Sequence, residues 1–342
     1  MNEISTKDSR TVSPLFQISL IALNALIMSA MLYHRSGKIY IRENAPESFV
    51  ILKQADRAPM AALVRTGLHI DHFETFDTRE SDFTFSGSVW FEADPRRVAL
   101  DSLNKFNFES GKIIEQSDAD TQIVDGKLLV RHAVKATITR PMDHTLFPLD
   151  AHRFFIAIAH HNISPEDVAL VSSAQDFVAD APLRMFGWRK VGKSVETGVK
   201  RITISTHGQA RSDDYPVALY SIDIARSGIQ FLLLILLPLL FIFYLSLFTL
   251  STAQQTVGIT ASVMVAIPGY RIVIQNIAPS VGYLILSDYL FFIFLAAASA
   301  TFLVSIVTSS SSKFTVRHRE IAITLIHAAV LIACAYLFEG WQ

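Results

Sequence analysis

The sequence predicts an all-β sandwich followed by an all-α membrane domain of four helices, with an extra apolar helix at the N-terminus. Residues 35–225 carry most of the charge and form short runs of alternating apolar and polar residues separated by turn residues, which is typical of a sandwich. Residues 226–342 contain four long apolar segments, and about 20 helical residues are enough to cross the hydrocarbon core of a bilayer. Residues 1–34 contain one further apolar run.

The N-terminal run extends from Pro14 to Tyr33 and is followed by His34, Arg35 and Lys38. A cleaved signal peptide has an apolar core of about 7 to 15 residues, and this run is longer. Cleavage after Ala30 would also match the small-residue rule poorly. An uncleaved signal anchor is therefore favoured over a cleaved signal peptide, and either alternative exports the polar region that follows.

The polar region is predicted to contain nine strands with no helical stretch between them. The predicted strands are Met60–Phe73, Thr84–Phe91, Gln122–Val124, Leu128–Thr139, Phe154–Ala159, Val168–Ser172, Arg189–Val191, Val199–Thr206 and Val217–Ile224. A sandwich of this kind is a platform and does not by itself specify a function.

The membrane domain is predicted to cross the bilayer four times, once with each apolar segment. These segments are Ile229–Leu250, Thr256–Ile277, Tyr283–Val307 and Ile321–Phe338. The link between the third and fourth segments contains Lys313, Arg317 and Arg319. By the positive-inside rule this link is cytoplasmic, so the β-domain is predicted on the opposite, extracellular or periplasmic side.

Composition excludes several classes of function. The net charge of −1 comes without a basic stripe, so no nucleic-acid partner is expected. Cys334 is the only cysteine, so neither an intrachain disulfide nor a thiolate metal site can form. The sequence has no Gly-rich phosphate loop, no G-x-S-x-G and no H-E-x-x-H. We therefore predict no enzyme activity, no cofactor and no metal site.

The second membrane segment is the least apolar of the four. One face of it, at helical spacing, is small, weakly polar and uncharged. This face consists of Gly258, Ser262, Val265, Gly269 and Ile272. Small residues let helices pack closely in a bundle, and they also line water paths. Periodicity alone leaves both interpretations open and favours packing.

Several landmarks together resemble one family. Phe147, Pro148, Leu149 and Asp150 resemble the Phe-Pro-x-Asp signature of the pentameric ligand-gated ion channels, whose eukaryotic members are called Cys-loop receptors. The flanking cysteines are absent, as in bacterial members of the proton-gated type. Other landmarks follow in the family's order over residues 49–340: the run Asp94–Arg97, the pair Gly187 and Trp188, Arg226 before the first membrane helix, Pro238 within it, and Pro279 and Tyr283 after the second.

The resemblance implies a homopentameric ion channel in a bacterial inner membrane, with the β-domain in the periplasm. Its partners would be four identical subunits, the lipid bilayer, a small-molecule or proton agonist and the permeating inorganic ions. It also implies that the second membrane helix lines the pore with Gln254, Gly258, Ser262, Val265, Gly269 and Ile272. The alternative is a non-conducting, membrane-anchored ligand-binding or signalling protein on the same fold.

Some residues of the pore helix depart from the family pattern. Cation-selective members carry a ring of Glu where this chain has Gln254 and Gln255, so the charge selectivity stays open. Pro268 is expected to weaken or kink the helix. Arg271 lies one position off the predicted pore face, where it either reaches the lumen or makes a contact at an interface.

By resemblance, two further sets of residues carry gating and ligand binding. The gating and coupling set is Asp77, Phe147, Pro148, Asp150, Arg226, Pro279 and Tyr283, in which Asp150 and Arg226 form a buried pair. The ligand-binding set is Phe106, Phe108, His160, His161 and Tyr215. Each of these five is also compatible with an ordinary core or surface position. The two histidines are candidates for sensing pH, because an unperturbed His titrates near 6.5.

Overall fold

The computed structural model of the chain describes residues 12–52, 58–179, 185, 187–206, 209–227, 230–251, 256–310 and 315–340. The chain forms two compact units. The helical unit comprises residues 1–40, 144–150 and 228–342, and the β unit comprises residues 41–143 and 151–227. The segment 144–150 therefore belongs to the helical unit, although it lies between two strands of the β unit in sequence.

The described residues form twelve strands and six helices. The strands are β1 (Phe49–Ile51), β2 (Ala62–Asp77), β3 (Asp82–Ala93), β4 (Asn107–Phe108), β5 (Gly111–Gln116), β6 (Asp120–Val124), β7 (Lys127–Thr139), β8 (Ala151–Ala159), β9 (Val168–Val171), β10 (Phe177–Val178), β11 (Trp188–Thr206) and β12 (Gln209–Arg226). The helices are α1 (Pro14–Ser36), α2 (Leu100–Asn104), α3 (Gln230–Thr249), α4 (Thr256–Ile277), α5 (Leu286–Ser310) and α6 (Val316–Gly340).

The β unit is a two-sheet structure. One sheet has the order β1-β11-β12-β8-β4, and the other has the order β10-β2-β3-β7-β5, with β6 paired to β7 and β9 paired to β2. The alternating apolar residues of the strands place one face of each sheet in a common core rich in Phe. A smaller apolar cluster, which includes Phe155, Val217 and Leu219, lies apart from this core and packs against Phe49. The predicted sandwich is thus confirmed in outline.

Local turn chemistry fixes the register of one hairpin. Asp125 and Gly126 connect β6 to β7, and both have positive φ, at 51° and 78°. A two-residue Asp-Gly turn of this kind matches the twist of the flanking strands, so Val124 and Lys127 face each other across it.

Among the described residues, the helical unit contains five helices that are long and apolar enough to cross a membrane. Four of them, α3 to α6, match the predicted segments to within a few residues, and α4 has the predicted bounds. The chain is therefore a multi-pass membrane protein. α4 continues through Pro268 without interruption.

The fifth long helix, α1, packs with one face against the other helices of the helical unit, through polar as well as apolar residues. Gln17 Nε2 donates a hydrogen bond of 2.9 Å to the carbonyl of Leu247, and the Tyr244 hydroxyl donates one of 2.7 Å to Asn24 Oδ1. Both amide side chains are buried. Polar side chains between membrane helices commonly form such contacts. α1 is thus joined to α3 at two points.

Candidate functional site

The β unit contains a buried carboxylate that three side chains approach. Glu109 Oε1 accepts hydrogen bonds from His161 Nε2 at 2.6 Å and from the Tyr215 hydroxyl at 2.9 Å. Its Oε2 accepts a hydrogen bond from Lys200 Nζ. The His161 and Tyr215 rings are in edge contact, with centroids 4.4 Å apart. We call these four residues the Glu109 cluster.

Strand register explains why these four residues meet. Lys200 on β11 lies directly opposite Tyr215 on β12, so the two side chains share one face of the hairpin. Glu109 follows β4 and donates its backbone N–H to the carbonyl of Ala157 on β8. His161 follows the end of β8 by two residues. The cluster therefore draws its residues from β11 and β12 and from the chain that follows β4 and β8 in the same sheet.

Electrostatics keep Glu109 ionised. Burial alone would raise its pKa, but the hydrogen bonds from Lys200, His161 and Tyr215 outweigh burial and hold the pKa of Glu109 below its ordinary value. Burial and the neighbouring Glu109 carboxylate raise the pKa of Tyr215 in turn. The phenol therefore stays protonated and acts as a donor.

A cavity of about 170 Å³ adjoins the cluster. Ala157, Val217 and Leu219 contribute to its apolar lining, and Phe49 also lines it. Glu109, Lys200 and Arg140 add three charged side chains. This combination of an apolar lining and a few polar groups is typical of a small-molecule site.

The predicted ligand-binding residues fall into two groups. His161 and Tyr215 belong to the Glu109 cluster. Phe106, Phe108 and His160 are instead buried, and Phe106 makes ring contacts with both of the others. Burial lowers the pKa of His160 to about 4, so this histidine does not titrate near 6.5 as the sequence suggested.

Sequence reasoning missed Glu109, Lys200 and Arg140. In a strand, successive side chains point to opposite faces, so Phe106 and Phe108 share one face and Asn107 and Glu109 share the other. This alternation could have placed Glu109 on the face opposite the two phenylalanines. Lys200 gave no such signal, because its partnership with Tyr215 depends on the register of a long hairpin.

In the helical unit, α4 exposes the predicted pore face. Gly258, Ser262, Val265, Gly269 and Ile272 are all exposed in the single chain, Val265 by 74% and Ile272 by 63%. A Cβ atom added to Gly258 or Gly269 would meet no atom within 4 Å among the described residues. Close packing within the described chain therefore does not require these glycines. Gln254 and Gln255 lie outside the described residues.

Arg271 of α4 pairs with Asp288 in the first turn of α5. Asp288 is 5% exposed, and its other oxygen accepts the backbone N–H of Ile285 at 3.0 Å. The Arg271 guanidinium also lies 5.3 Å from the centroid of the Phe291 ring. Arg271 thus has an intrachain partner, which the sequence did not identify.

The segment 144–150 packs on the link between α4 and α5. The Tyr283 hydroxyl accepts the backbone N–H of His144 at 2.9 Å. The N–H of Leu286 donates to the carbonyl of Thr145 at 2.8 Å, and that of Ser287 donates to the carbonyl of Phe147 at 3.1 Å. The Phe147 side chain is buried in the core of the helical unit. The predicted coupling residues Phe147 and Tyr283 thus lie in one local set of contacts.

The other predicted coupling residues have separate surroundings. Asp150 is buried, and its Oδ2 lies 3.6 Å from His144 Nδ1. Pro279 is buried in the α4–α5 link. No hydrogen bond among the described residues joins it to Pro148. In the β unit, Arg226 lies over the Trp188 ring at 4.5 Å, and Asp77 accepts the N–H of Arg79 in the β2–β3 turn at 2.8 Å. The predicted pairing of Asp150 with Arg226 stays a prediction.

No family model matches the chain, and a search of curated proteins finds no match either.

Proposed function

We propose that this chain is one subunit of a homopentameric ligand-gated ion channel, in which α4 of each subunit lines the pore. The observation that carries the proposal is the exposed face of α4, which is small and uncharged although the helix contains an arginine. In a ring of subunits, Ser262 would supply hydroxyls that keep an open pore wet. Val265 and Ile272 would supply apolar rings that close the pore by dewetting.

The pairing of Arg271 with Asp288 supports this arrangement. An unpaired arginine beside the pore would impose a ring of positive charge, whereas the carboxylate of Asp288 neutralises it within the same subunit. The pore face then presents no net charge over its described length. Selectivity would depend on the ends of the helix.

Ligand binding in the β unit would be coupled to the pore through the segment 144–150. This segment makes one hydrogen bond with the α4–α5 link, which directly follows the pore helix, and two with the first residues of α5. A movement of the segment would displace the link and, with it, the end of α4. An agonist opens such a channel only if it binds the open state more tightly than the closed state.

We place the protein in a bacterial inner membrane with the β unit in the periplasm. Arg317 and Arg319 at the start of α6 support a cytoplasmic position for the α5–α6 link. Reporter domains fused within this link and after α6 would test the orientation. The proposed topology requires them to report opposite sides of the membrane.

The pore assignment is tested by cysteine substitution on a Cys334→Ala background. Val265→Cys and Ile272→Cys should be modified by a charged, membrane-impermeant thiol reagent, and modification should block current through protein in planar bilayers. Leu325→Cys on α6 is the matched control, because Leu325 is 63% exposed but would face lipid. Intact pentamers without current under any pH or ligand would instead support a non-conducting binding protein.

A further inference from the structure

We propose that the cavity beside the Glu109 cluster binds a small monocarboxylate with a compact apolar body, whose carboxylate pairs with Arg140. The existence of this binding site does not depend on the proposed function. The further step, that such a monocarboxylate is the agonist, rests on the proposed function.

The cavity contains two cations, and Lys200 pairs with Glu109. Arg140 forms no ion pair with a carboxylate of the described residues. It follows β7, and its backbone N–H donates to the carbonyl of Ser81 at 2.9 Å. Its guanidinium lies 5.6 Å from the centroid of the Phe155 ring, and the side chain lines the cavity. Burial lowers the pKa of Arg140, while Glu109 acts in the opposite direction through the electric field. A half-buried guanidinium with this environment gains from an anion that supplies two oxygens.

Glu109 is already paired, which makes it a poor counter-charge for a cationic ligand. Both of its oxygens already accept hydrogen bonds, one from Lys200 and the other from His161 and Tyr215. An amine would have to displace one of these donors and would lie near two cations. The three charged side chains of the cavity sum to one positive charge, which a single carboxylate neutralises.

The remaining lining selects the rest of the ligand. Ala157, Val217 and Leu219 offer an apolar surface, and Phe49 adds an aromatic ring. The volume of about 170 Å³ is similar to the roughly 150 Å³ of an apolar protein cavity that holds benzene. A ring or short chain of about six carbons with one carboxylate therefore fits both the size and the charge of the site.

Three probes of similar shape test the charge preference: benzoate, benzyl alcohol and benzylamine. Each is titrated into the purified full-length protein in detergent at pH 7, and binding is measured by calorimetry. Benzoate should bind saturably, and the neutral and cationic probes should bind at least about tenfold more weakly, because only benzoate forms a charge-assisted pair with the guanidinium. Absence of benzoate binding, or equal binding of either other probe, would overturn the inference.

Three variants test the location. Arg140→Gln removes the cation and Ala157→Leu fills the apolar lining, so both should lose benzoate binding. Arg201→Gln is the matched control and should bind benzoate normally, because that guanidinium on the same sheet is already hydrogen-bonded to Asp214. If Arg140→Gln does not fold, Ala157→Leu and the probe series still decide. Benzoate binding that persists in a folded Arg140→Gln or Ala157→Leu variant would place the ligand elsewhere.

Currents separate this inference from the proposed function. Benzoate binding at Arg140 without current in response to any condition would leave the site intact and remove the channel. Current evoked by other compounds, with no benzoate binding, would leave the channel and remove the site.

Discussion

The two units each bury a carboxylate, and they stabilise it in different ways. Glu109 in the β unit is 8% exposed and Asp288 in the helical unit is 5% exposed, so the two are almost equally buried. Glu109 accepts hydrogen bonds from three side chains. The charge of Asp288 is balanced by Arg271, with one backbone N–H in addition.

This difference matches the task proposed for each unit. A carboxylate with several donors remains ionised when one donor is lost, so the charge beside the cavity does not depend on any single contact. A single pair among apolar helices has no substitute, because lipid and apolar side chains offer no other partner. We therefore expect the helical pair to be the more sensitive to mutation.

The largest expected effect comes from Asp288→Asn. This change keeps an acceptor for the Ile285 N–H but leaves the half-buried Arg271 charge without its carboxylate, which should cost about 3 kcal/mol of unfolding free energy, the lower end of the range for a buried pair. Chemical unfolding of the protein in detergent measures the loss. The double variant Arg271→Gln with Asp288→Asn should recover most of it. A double variant as unstable as the single one would show that the pair is not the cause.

His160 provides a second test, because it is buried like Glu109 but lacks an acidic partner among the described residues. Burial gives this base a folded-state pKa of about 4 against an ordinary 6.5, so the unfolded state binds more protons between these values and stability falls as the pH drops from 6.5 to 4. The shift corresponds to about 3 kcal/mol. His160→Phe should flatten the pH dependence of unfolding.

Tyr215→Phe tests the redundancy of the Glu109 cluster. The change removes one of three donors and leaves Lys200 and His161 in place, so the expected loss is about 1 kcal/mol. Unfolding at pH 7 measures it, and the same substitution on a Glu109→Gln background should cost less. A loss as large as that of Asp288→Asn would erase the contrast between the two carboxylates.

The smallest effects are expected for α1. Gln17→Leu and Asn24→Leu each remove one hydrogen bond between membrane helices, worth about 0.6 kcal/mol on average. Because these contacts join α1 to α3, we also expect the N-terminal helix to remain in the mature protein. The intact mass of the purified protein checks this, and a mass that lacks α1 would show that the run is a cleaved signal peptide.

Much of the fold was predictable from local patterns. The membrane segments were found because about 20 consecutive apolar residues have few other uses, and α4 has the bounds that its sequence predicts. The long strands β2, β3 and β7 were found through their alternation. The short strands β1, β4 and β10 were missed, because two or three residues carry no periodicity and form only where a neighbouring strand pairs with them. The strand β5 and the short helix α2 were also missed, and the single strand β11 was predicted as two strands.

The sequence by itself determined the two kinds of architecture, the five membrane-length segments and the uncharged face of α4. Each of these shows along the chain as alternation, as helical spacing or as a continuous apolar run. Only the tertiary structure decided the partners of individual charges. Lys200 and Glu109 are 91 positions apart in the sequence and form a hydrogen bond. Arg271 pairs with Asp288 because α5 packs beside α4. Strand register and helix packing set such pairings, and neither leaves a local pattern in the sequence.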